Sequence, residues 1–136
     1  MIEKYEFENK IVSFLLNKLN PEVIYIFGSY LTEYFNEQSD IDIAVILNEE
    51  FDSKTIYNLK CELSAVIGRE VDLINYNDAD IVLKAEIFKK NKVIYCKDDE
   101  LRYYKEMIAL KEYERYNEER KIIIESKYGY EAWTLL

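Results

Sequence analysis

The chain has 136 residues, about half of them hydrophobic and a third charged, with a formal charge of −9. This composition suits one globular domain over residues 1–136, and its acidity argues against direct binding of nucleic acid, because like charge repels a phosphate backbone. There is no histidine, and Cys61 and Cys96 form no C-x-x-C pair, which argues against zinc centres, histidine acid–base chemistry and a disulfide scaffold.

No apolar run reaches 18 residues, and Glu3, Lys4, Glu6 and Glu8 punctuate the N-terminus. A soluble, cytoplasmic protein without a membrane partner is expected. The first segment, Ile2–Leu19, places Ile11, Val12, Leu15, Leu16 and Leu19 on one face at helical spacing. Asn20 before Pro21 ends it. "VIYIF", Val23–Phe27, is short and wholly apolar, as a strand buried on both faces should be. Gly28 and Ser29 terminate it, and a short helix is expected over Tyr30–Phe35.

"DIDIAVIL", Asp40–Leu47, is a second strand rich in β-branched residues. Asp52 or Ser53 caps a helix with an apolar stripe of Ile56, Leu59, Leu63, Val66 and Ile67, which Gly68 stops. Glu70–Tyr76 is a third strand. Asp78–Lys90 is a helix closed by Asn91, a residue that tolerates the left-handed conformation. Lys92–Cys96 is a fourth strand, and a long helix runs from about Asp98 to Ile124. Its apolar residues spread over too wide an arc for one narrow seam, which suits contact with both its own core and a partner. The tail "YGYEAWTLL" carries Trp133, which either docks on a partner or packs locally. Cys61 falls on the polar side of its helix, and Cys96 ends a strand where it packs. The order, helices alternating with four strands, predicts an α/β domain with a small mixed sheet flanked by helices.

Asp40 and Asp42 interrupt this pattern. Side chains alternate along a strand, so both carboxylates point one way and Ile41, Ile43 and Val45 point the other, into the core. Paired carboxylates repel, and burial raises the cost unless a cation neutralises them. Oxygen ligands select a hard ion such as Mg²⁺. Alternatively, both acids sit at a frayed strand end and are simply hydrated. Asp72, near the start of the third strand, favours the ion. A helix between strands two and three favours parallel pairing. The starts of both strands then share one sheet edge, where Asp40, Asp42 and Asp72 converge. An antiparallel first strand brings Gly28 and Ser29 to the same edge. Gly28 allows a ligand close to the backbone, and Ser29 with the following amides suits phosphate.

Gly28-Ser29, ten residues, then Asp40-Ile41-Asp42 resembles the signature of the polymerase-β-like nucleotidyltransferases, with Asp72 where their third acid belongs. The short length is similar to the minimal nucleotidyltransferase (MNT) antitoxins encoded beside HEPN toxins. The likeness covers about Val23–Lys97. It implies the palm-type nucleotidyltransferase fold and transfer of AMP from ATP. It also implies two Mg²⁺ ions held by Asp40, Asp42 and Asp72, and phosphates gripped at Gly28 and Ser29. The implied acceptor is a tyrosine hydroxyl of a HEPN ribonuclease, silenced by AMP. Many relatives place a small residue, a basic residue and a glycine where this chain has Leu31, Thr32 and Glu33. That departure leaves room for an antitoxin that only masks its toxin. An enzyme acting on an aminoglycoside-type small molecule is the other alternative. Thirteen tyrosines suit a protein interface, although a bias toward Ile, Lys, Asn and Tyr explains them equally.

Overall fold

A computed structural model describes residues 4–129 and Thr134. Ile2 and Trp133 lie outside the described residues. Helix α1 spans Lys4–Lys18 and buries Phe7, Ile11 and Leu15. It stops where Asn20 turns left-handed, with φ +46°, just before Pro21. Strand β1, Val23–Phe27, is buried along its whole length. It is followed by a four-residue 3₁₀ turn, Gly28–Leu31, and not by a helix over Tyr30–Phe35. The reason is local. The Thr32 hydroxyl and amide both donate to the Ser29 carbonyl oxygen, at 2.8 and 3.0 Å, which closes the turn before an α-helix can propagate.

Strand β2 spans Ile41–Ile46, so Asp40 stands just outside it. Helix α2 spans Ser53–Ile67, with Asp52 as its cap accepting from the Thr55 amide at 2.7 Å and Gly68 left-handed at its end. Ile56, Leu59, Leu63 and Ile67 are buried, but Val66 is 50% exposed and does not belong to the stripe. Strand β3 is Val71–Asn75 and ends in a 3₁₀ turn over Tyr76–Asp78. Helix α3 therefore starts later than the sequence suggests, at Ile81, capped by Asp80, and runs to Lys89. Asn91 closes it with its side chain, which donates to the Ile87 carbonyl at 3.0 Å. Its backbone is not left-handed; among the described non-glycine residues only Asn20 has positive φ. Strand β4 is Lys92–Cys96. Helix α4 runs from Asp99 to Tyr128, capped by Asp98 and longer than expected.

The strand order is β3-β2-β1-β4. β1 is antiparallel to β2 and β4, and β2 is parallel to β3. The sheet is mixed and four-stranded, as expected. Both of its faces are covered. One holds Ile24, Ile26, Ile41, Ile43 and Val45 against α1 and α2. The other holds Tyr25, Phe27, Ala44 and Ile46 against Ile87 and Phe88 of α3 and Ala109 of α4. This double burial explains why β1 and β2 read as near-continuous apolar runs. The Tyr25 hydroxyl fastens α4 to β1 by donating to Glu106 at 2.8 Å, and Arg102 donates to the same carboxylate at 3.2 Å. Cys96 is partly buried against this second core, and Cys61 is exposed.

Candidate active site

The sheet ends in a cluster of acids, and strand register assembles it. Phe27, the last residue of β1, pairs with Asp42. Asp42 in turn pairs with Asp72 across the parallel β2–β3 ladder. Neighbouring strands lie about 4.8 Å apart, so the two carboxylates stand side by side. Both share a face with Ala44 and Ile46, the face that α3 and α4 cover. Asp40 lies two residues before Asp42, at the mouth of the strand. The acids expected from the sequence thus gather at one edge.

Gly28 reaches the same edge and is tied to Asp42 in a way the sequence does not disclose. Its φ is +73°, where L-residues are strained. A Cβ built there would lie 2.1 Å from Asp42 Oδ2. The Asp42 carboxylate therefore occupies the space a side chain would need. The glycine serves the close approach of an acid as much as that of any ligand. Ser29 follows within the 3₁₀ turn, so the phosphate position expected at a helix N-terminus is instead a tight turn.

Electrostatics mark the cluster as uncompensated. Burial, then Asp72, Asp40 and Glu86, push the Asp42 carboxyl up to about 6 from an ordinary value of 3.8. Among the described residues, no ion pair reaches Asp40, Asp42 or Asp72. Glu86 of α3 is the addition that sequence reasoning missed. It lies far from Asp42 along the chain, and only the packing of α3 on this face makes them neighbours.

The donor set fits a hard dication. It is all oxygen, crowded with negative charge and open on one side. No three acidic or thiol groups among the described residues form a complete metal-binding set. Mg²⁺ is commonly held by one or two carboxylates together with substrate phosphates and not by a full protein cage.

The segment after Ser29 has structural duties that account for its departures. Leu31 packs against the first core, and Thr32 closes the turn on Ser29. Glu33 is exposed. Buried Tyr30 donates to Glu8 at 2.6 Å, which holds the turn against α1. Arg69 lies over the Phe35 ring at 4.6 Å and donates to the Asn36 carbonyl at 3.0 Å.

Residues 9–100 match the family described as polymerase beta, nucleotidyltransferase. The chain is 31% identical over 121 residues to protein adenylyltransferase MntA of Shewanella oneidensis, covering 87% of this chain and 85% of the relative. It superposes on a chain of the crystal structure of a toxin-antitoxin with AMP-PNP, with a TM-score of 0.79 and 28% identity, over 88% of this chain and 96% of that one. It also superposes on a chain of the tri-AMPylated Shewanella oneidensis HEPN toxin in complex with MNT antitoxin, with a TM-score of 0.79 and 26% identity, over 91% and 98%. Sheet order, acid register and these matches agree: the chain belongs to the polymerase beta nucleotidyltransferase family.

Proposed function

We propose that the chain is an antitoxin that transfers AMP from ATP to a tyrosine hydroxyl of a HEPN-family ribonuclease toxin and so neutralises it. The observation that carries this is the register of Asp42 against Asp72, with Gly28 closing on the Asp42 carboxylate at the same edge. The likeness to protein adenylyltransferase MntA supports the reaction, and the likeness to the antitoxin bound to a tri-AMPylated HEPN toxin supports the acceptor. The toxin-antitoxin with AMP-PNP supports ATP as the donor. This activity places the chain in the cytoplasm, with ATP and its partner.

Asp40, Asp42 and Asp72 would hold Mg²⁺, and the ion would supply positive charge to offset that of the triphosphate. Gly28 lets the terminal phosphates approach the turn, and Ser29 donates to them through its amide and hydroxyl. The acceptor tyrosine oxygen bonds to the α-phosphorus of ATP. The bond from that phosphorus to the β-bridging oxygen breaks, and pyrophosphate leaves with the electron pair. Asp72, exposed at the mouth, takes the tyrosine proton.

The test is to incubate the purified chain with labelled ATP, Mg²⁺ and the HEPN-family protein encoded beside it. Label should appear on that protein and disappear with Asp42→Asn. Inhibition of the toxin without ATP, equal for wild type and Asp42→Asn, would instead make the chain a masking antitoxin.

A further inference from the structure

Helix α4 runs toward the acid edge and then beyond it. Arg102 lies beside Cys96, at the far end of β4; burial lowers its pKa, but Cys96, Glu106 and Asp99 together raise it. Four residues on, Glu106 receives Tyr25 from the middle of β1. Ala109 is buried in the second core. Next, Tyr113 lies under the ammonium of Lys89, the last residue of α3, at 4.1 Å. Lys92, three residues on, pairs with Ile26, next to Phe27 and its partner Asp42. The helix therefore passes the level of the acids near Tyr113. Residues 114–128 continue for about another 22 Å at 1.5 Å per residue.

The face that packs on the domain does not end where the domain does. Ala109, Tyr113, Tyr116, Arg120, Ile123 and Lys127 follow one another at spacings of four and three, a single helical seam. Ala109 is buried, Tyr116 is 36% exposed and Ile123 is 63% exposed. The seam thus emerges from the core and continues past the level of the acid edge. Ile122 is 66% exposed beside it. Charge also distinguishes the overhang. Its four acids and four bases cancel, so the chain's net charge of −9 resides elsewhere. A protein approaching the overhang meets apolar and balanced polar groups and no like-charged field.

We propose that the overhanging seam of α4 is the docking arm for the acceptor protein, a HEPN-family toxin, and holds its tyrosine across the acid edge. This rests on the proposed function for the partner's identity. A partner seated on the seam lies in front of Asp40, Asp42 and Asp72, where a bound ATP would present its α-phosphorus. Docking and chemistry would then be served by separate residues of one chain.

The experiment uses the full chain with Ile122→Asp and Ile123→Asp together, and a second variant, Ile123→Ala. Toxin affinity is measured by titration calorimetry without nucleotide, and AMP transfer is measured over a range of toxin concentrations. The aspartate variant should bind at least tenfold more weakly and raise KM for the toxin, with kcat retained at saturation. Ile123→Ala should show a smaller loss in the same direction. Circular dichroism checks that the helix persists, and the milder variant decides if it does not. Unchanged affinity and KM in both variants, with a wild type that labels the toxin, would overturn the docking arm alone. A wild type that neither binds nor labels the toxin would overturn the proposed function and the arm with it. A wild type that sediments as a dimer, and a variant that sediments as a monomer with intact toxin binding, would assign the seam to a second copy and refute the proposal.

Discussion

Asp42→Asn removes one charge from the acid cluster and keeps the side chain's shape. In the folded chain the Asp42 carboxyl is raised to about 6 by burial and by Asp72, Asp40 and Glu86; in the unfolded chain it takes the ordinary value of 3.8. Between these values the folded state binds more protons, so wild-type stability falls as pH rises from about 4 to about 6 and then levels off. A shift of about two units corresponds to about 3 kcal/mol at most. Asp42 is only partly buried, and solvent screening reduces this to about 1–2 kcal/mol. Asp42→Asn should therefore be more stable than wild type by that amount at pH 7.5 and nearly equal to it at pH 4. For a domain of this size the difference is about 4 °C in Tm for each kcal/mol. The assay is thermal unfolding by circular dichroism from pH 4 to 8 in EDTA. A Tm difference that does not change with pH would refute the reasoning, as would an asparagine variant less stable than wild type at pH 7.5.

Adding Mg²⁺ with ATP should raise the Tm of wild type but not of Asp42→Asn, and chelation should abolish AMP transfer; transfer that persists in EDTA would remove the metal from the mechanism. Gly28→Ala forces a left-handed alanine whose Cβ stands 2.1 Å from Asp42 Oδ2. It should cost about 1–2 kcal/mol from the backbone alone and lower AMP transfer more than tenfold, read by melting and by labelled ATP. Tyr25→Phe removes the hydrogen bond that ties β1 to Glu106 and should lower unfolding free energy by about 1–2 kcal/mol in urea, without a change in slope. Asp52→Ala removes the α2 cap and should cost about 1 kcal/mol while leaving AMP transfer intact; a matching loss of activity would show that α2 reports to the site.

Local chemistry makes much of this fold legible in the sequence. Five apolar residues in a row at Val23–Phe27 suit a strand covered on both faces. The caps Asp52 and Gly68 bound α2 as expected, because capping involves groups only three or four residues apart. Asp40 and Asp42 stand out against an apolar run, although only Asp42 lies within β2 and Asp40 precedes it. Adding Asp72 required only the rule that a helical crossover favours parallel strands, and the β2–β3 ladder obeys it.

The failures have two causes, one local and one tertiary. The expected helix over Tyr30–Phe35 is absent because Thr32 bonds back to Ser29, a competition that propensity does not register. Val66 carries an apolar side chain but faces water, because α2 meets only one sheet face. The contact of Gly28 with Asp42, the approach of Glu86 from α3 and the direction in which α4 leaves the domain all join residues distant along the chain. A helix shows its period wherever it is, but its period does not say where it ends relative to the sheet. Sequence carries the pattern of each element; the register and packing between elements set which charges meet, how far a carboxyl is pushed from its ordinary value and where a helical seam emerges from the core.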